Sequence, residues 1–152
     1  MLRQHRRLHY FQGYHDIASV LLLVLGSSLA VEALERLSLL RIRDFMLDDL
    51  EAALAQLALL PTILRAADPS LALHLAGVQP FFALAGTLTM YAHEVQSYGD
   101  IARLFDYLLA NEAVVSIYLF AAVSTERSLS RTLFERCLAW SAILTRPLTD
   151  AH

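Results

Sequence analysis

Residues 8–16 read LHYFQGYHD. One amide, Gln12, stands between Tyr10 and Phe11 on one side and Gly13 on the other, with Tyr14, His15 and Asp16 following. An amide both donates and accepts hydrogen bonds. Held in place, it can accept from a water while donating to a phosphate oxygen, and so orient that water for attack. Gly13 permits a backbone turn that other residues resist and lets a second segment approach closely. Tyr10, Phe11 and Tyr14 can wall such a turn. The competing reading is a capping turn whose glutamine bonds local backbone. The residues alone leave both open.

Other chemistry-bearing residues carry less. His5 and His9 share helical spacing, and His15 with Asp16 could add to them, but no third well-spaced ligand completes a metal site. Arg103 and Asp106 lie three apart on one helix, which suits an ion pair bracing that helix more than a partner contact. His74 and His93 sit in apolar stretches and read as core histidines. No nucleophile with a paired base, phosphate-cradling loop or carboxylate pair is evident. The single cysteine, Cys137, cannot form an internal disulfide and fits a reducing compartment. It reads as a buried thiol on a helix face, and Trp140 as core or interface.

These residues need a scaffold, and the composition says which kind. The chain has 152 residues, 57% of them apolar, with five glycines and four prolines. Leucine and alanine dominate, and both favour helix. The net charge of −3 gives no electrostatic case for nucleic acid, and every basic residue is arginine. No secretory signal pattern opens the chain. Asp16 is placed to cap a helix over 17–25, apolar all round and therefore central. Gly26, Ser27 and Ser28 predict a break, followed by a second helix to about residue 40. Residues 44–60 predict one amphipathic helix with Leu47, Leu50, Leu54 and Leu57 inside, ended by Pro61. Asp68 and Pro69 open a short helix that Gly77 and Pro80 close. Further helices are expected over 81–95, from a cap at Asp100 to Asn111, over 112–123, and over 129–144 before Pro147. The fold class is all-α, with about seven helices. The uncharged runs 17–31 and 69–93 read as core helices; a small membrane-associated helical protein is the third-ranked reading.

The stretch HYFQGYHDI resembles the YxQG motif of the TBC domain, the helical catalytic domain of Rab GTPase-activating proteins. LAVEALERLSLLRIRDFM and ARLFDYLLANEAVVSIYLFAAV continue the likeness in order and spacing over about residues 8–123, towards the branch containing TBC domain family member 20. The resemblance implies an all-α fold and makes Gln12 the catalytic glutamine finger. That finger replaces the GTPase's own switch glutamine and positions the attacking water. Tyr10, Gly13, Tyr14 and Asp16 would support the finger loop or meet the partner, and the family also carries an arginine and an acid at Arg103 and Asp106.

The implied partner is a Rab GTPase whose active site is completed in trans. No metal or cofactor belongs to the chain itself, since GTP and Mg belong to the partner, and no nucleic acid is involved. The implied setting is early secretory traffic between endoplasmic reticulum and Golgi. The chain would be cytoplasmic, on the cytosolic face of those membranes, with membrane association kept open.

The departures define a further expectation. The family's arginine finger lies in an IxxDxxR motif before the glutamine; the nine residues preceding Tyr10 hold Arg3, Arg6 and Arg7 without that motif. Gly86 and Met90 stand where the family tends to have tryptophan, the tail after Glu126 does not match, and the branch's C-terminal membrane anchor is not seen. Residues 1–152 therefore read as a single partial TBC domain, its C-terminal portion, weak or inactive alone and prone to self-association. The alternative is a catalytically deficient helical module that binds a Rab or another partner.

Overall fold

The structure, a computed structural model, describes residues 1–126. The expected helix over 129–144, Pro147, Cys137 and Trp140 lie outside the described residues. Seven α-helices are present among those described: α1 (Tyr14–Leu40), α2 (Glu51–Leu57), α3 (Leu60–Ala67), α4 (Pro69–His74), α5 (Leu84–Leu88), α6 (Tyr98–Ala110) and α7 (Val115–Thr125). Two 3-10 turns, Arg43–Met46 and Pro80–Ala83, precede α2 and α5. The all-α expectation holds across these residues.

α3 is the hub. Leu60 and Leu64 are buried on one side of it, and it packs against both α4 and α7. Phe120 of α7 lies against Phe82 with ring centroids 5.9 Å apart, joining the 3-10 turn before α5 to the same core. Asp68 caps α4 as expected, its side chain accepting from the Leu71 amide at 3.0 Å. Asn111 ends α6.

Gly26 has φ 73° and ψ 171°, a conformation nearly closed to other residues, so α1 is two helical arms joined at a kink, at the break expected there. Other boundaries differ from expectation. Residues 44–60 do not form one helix. Leu47 is extended, and Pro61 opens α3 instead of ending its predecessor. Proline lacks only an N–H that the first turn leaves unpaired anyway. The 81–95 helix stops at Leu88, because Met90 and Tyr91 take positive φ values of 51° and 62°. Ser97, not Asp100, caps α6; its hydroxyl accepts from the Asp100 amide.

The largest correction concerns 17–25. Ile17, Val20 and Leu21 are buried, but Leu22, Leu23, Val24 and Leu25 are exposed, as are Leu29, Val31 and Leu40 beyond the kink. A helix covered by apolar residues all round becomes central only when neighbours enclose it, and here only one stripe is packed. α1 is also long and apolar enough to cross a membrane by length and composition.

Candidate functional site

The segment that leads into α1 is fixed from three sides. The His9 amide donates to the Met46 carbonyl at 2.7 Å, and Leu8 is buried. Tyr14 is buried; its ring meets Phe11 edge-on at 5.5 Å and Tyr10 at 6.4 Å. Its hydroxyl pairs with Ser38 Oγ at 2.9 Å, tying the start of α1 to the far arm beyond Gly26. Burial raises the Tyr14 phenol above its ordinary pKa, while the Ser38 hydrogen bond acts in the opposite direction. Tyr14 is thus an internal support and not a contact surface. Tyr10 is more than half exposed; its hydroxyl lies 2.8 Å from His15 Nδ1.

Gly13 starts α1 in a left-handed conformation, φ 98°. A Cβ there would meet Thr89 Cγ2 at 2.5 Å, so both the turn and the close approach expected of this glycine are present. Gly13→Ala is expected to destabilise the chain by about 1–3 kcal/mol, combining backbone strain with overpacking. Chemical denaturation checks this. Adding Thr89→Ser, which removes the offending methyl, should restore part of the loss but not the part due to φ.

Asp16 does not cap α1, whose first residue follows a glycine with no side-chain cap bond. It lies within the first turn, where a carboxylate is favoured by the helix dipole. Its Oδ2 accepts from His93 Nδ1 at 3.0 Å, and its Oδ1 is 3.4 Å from His15 Nε2. His93 and His74 are exposed, not core residues.

Gln12 itself is exposed, and its amide makes no hydrogen bond with the other described residues. This runs against the capping-turn alternative, in which the amide would be consumed locally. Gln12 borders a cleft of about 330 Å³ lined chiefly by apolar groups, among them Phe11, Phe45, Leu84 and Leu88. No arginine among the described residues lines it. The geometry presents a free amide on a rigid turn beside a hydrocarbon surface.

Elsewhere the expected pairings fail. Arg103 and Asp106 are both exposed and form no ion pair with each other or with the other described residues. An exposed pair gains little against the entropy of holding two side chains. His5 pairs with Glu35 and His9 with Asp48, so the N-terminal histidines diverge. Among the described residues no group of three His, Cys, Asp or Glu could hold a metal ion.

The sequence reading missed three supports of the site: Ser38, Thr89 and His93. They lie 24 or more residues from the partners they touch, and no local spacing signals such contacts. It also missed Arg41, which donates to the carbonyls of Asn111 and Glu112 at the end of α6 at 2.9 and 3.3 Å. Burial lowers the Arg41 pKa and Glu112 opposes that shift.

The described fold is thus an all-helical domain with one exposed amide on a buttressed turn. Residues 2–130 match the Rab-GTPase-TBC domain, and the chain belongs to that family. It is 38% identical over 125 residues to the GTPase-activating protein gyp10 of Schizosaccharomyces pombe, covering 81% of this chain and 34% of that protein. It is also 38% identical over 125 residues to TBC1 domain family member 20 of Bos taurus, covering 81% of this chain and 31% of that protein. GTPase-activating protein GYP8 of Saccharomyces cerevisiae is 25% identical over 119 residues. The chain spans about a third of the length of gyp10 and member 20.

Proposed function

We propose that the chain stimulates GTP hydrolysis by a Rab GTPase, with Gln12 entering the partner's site in trans as the residue that positions the attacking water. The observation that carries this reading is the free Gln12 amide on an otherwise fully braced turn. Water attack on a phosphoryl group needs orientation and charge stabilisation more than covalent chemistry. GTP and Mg enter with the partner. Single-turnover GTP hydrolysis by a panel of Rab proteins, with and without the chain, tests the activity. Stimulation of none of them would remove it.

The setting is early secretory vesicle traffic, on the cytosolic face of endoplasmic reticulum or Golgi membranes. The resemblance to the family member 20 branch supports this. A second reading, a helical module that grips a Rab without accelerating hydrolysis, is favoured by one observation: among the described residues no arginine lines the cleft beside Gln12. Binding to a GTP-loaded Rab at an unchanged hydrolysis rate would select it.

The apolar face of α1 supports self-association of this chain. Large exposed apolar patches mark association surfaces, and eight exposed leucines and valines lie on this one helix. Leu23 is 69% exposed and Leu40 83%. Leu23→Glu with Leu40→Glu is expected to raise the monomer fraction severalfold in sedimentation velocity. A wild-type chain that sediments as a monomer would contradict it.

A further inference from the structure

Thr89 and His93 flank two residues in an unusual backbone conformation. Met90 and Tyr91 both adopt left-handed φ values, uncommon for bulky side chains and retained only where surroundings hold them. Those surroundings are visible. Tyr91 is buried, its ring lies against Gly86, and its hydroxyl donates to the Ser116 carbonyl of α7 at 2.7 Å. Its amide donates to the Gly86 carbonyl at 2.8 Å. The turn is therefore anchored through Tyr91 to α5 and α7.

The consequence of the turn is where its ends point. Thr89 presents Cγ2 to Gly13, directly next to Gln12, while its hydroxyl is occupied in donating to the Ala85 carbonyl at 2.8 Å. His93 reaches Asp16 in the first turn of α1. Both contacts cross more than 70 residues of sequence to meet the same short loop.

We infer that the 89–93 turn is the mount of the Gln12 loop, with the Thr89 methyl as its floor, the His93–Asp16 hydrogen bond as its clamp, and Thr89 and His93 as positioning residues. The inference deepens the reading of Gln12 as a water-orienting finger and rests on it for its functional meaning. Its structural content stands separately. A mount matters because an amide displaced by about 1 Å loses on the order of 10²-fold in rate.

Thr89 allows two opposed substitutions. Thr89→Ser deletes the methyl and keeps the hydroxyl; Thr89→Val keeps the methyl and deletes the hydroxyl. The readout is hydrogen exchange of the Tyr14 and Asp16 amides, which donate to the Phe11 and Gly13 carbonyls, with α3 and α7 amides as control. Thr89→Ser is expected to speed exchange at the loop about tenfold while the controls stay unchanged, and Thr89→Val to leave the loop near wild type. The reverse pattern, or equal acceleration of loop and controls, would show that Thr89 acts only through α5 and would overturn the mount. His93→Ala should loosen the loop and His93→Asn, whose amide can replace Nδ1 as donor, should restore it; no difference between the two also counts against the clamp.

Stimulated GTP hydrolysis separates the two claims. Under the mount, Thr89→Ser lowers the maximal rate with little change in the partner concentration for half-saturation. If Gln12→Ala leaves hydrolysis unchanged, the finger reading falls, and the exchange pattern still decides the mount.

Discussion

This chain alone is expected to accelerate GTP hydrolysis by a Rab weakly, and a chimera in which an upstream segment with the family's IxxDxxR arginine motif is joined to it to do so faster by a further factor on the order of 10³–10⁵. Phosphoryl transfer develops charge that must be met where it appears, and an amide carries no net charge. Arg3, Arg6 and Arg7 are exposed on the segment before the finger loop, and none lines the cleft beside Gln12. Bringing one of them into a partner's site would cost the entropy of ordering a long, exposed side chain. Single-turnover assays with the chain and the chimera make the comparison. Full stimulation by the chain alone, abolished by mutating Arg3, Arg6 or Arg7, would place the finger where this reasoning does not.

Gln12→Ala in that chimera is expected to reduce the maximal hydrolysis rate by about 10²-fold while weakening Rab affinity by less than about threefold. An interaction made only in the transition state changes rate and leaves ground-state binding nearly untouched. The structure makes this a clean substitution. Gln12 is exposed and holds no internal hydrogen bond among the described residues, so truncation leaves no buried group unpaired. Thermal unfolding of the variant should therefore match wild type. Equal losses in rate and affinity would make Gln12 a docking residue, and an unchanged rate would take it out of the mechanism.

Local physics determined much of this protein from its sequence. Leucine and alanine richness set the helical class, Asp68 with Pro69 set the start of α4, and Gly26 set the kink, because propensity, capping and the steric demand for glycine act within a few residues. Gln12 and Gly13 were legible for the same reason: their residue types state what a turn there can do. Tertiary structure decided what depends on neighbours distant in sequence. The packing of Tyr91 against Gly86 and its hydrogen bond to α7 hold the left-handed turn at Met90 and Tyr91 that ended the 81–95 helix early, overriding its local pattern. Burial was decided the same way, since periodicity marks which faces are apolar but not which acquire a cover; Leu23 and Ile17 are equally suited to a core, and only Ile17 has one. The supports of Gln12 were decided there too. The approach of Thr89 to Gly13 and the bond of His93 to Asp16 exist only once the chain has closed on itself, and contacts across so many residues leave no spacing to read.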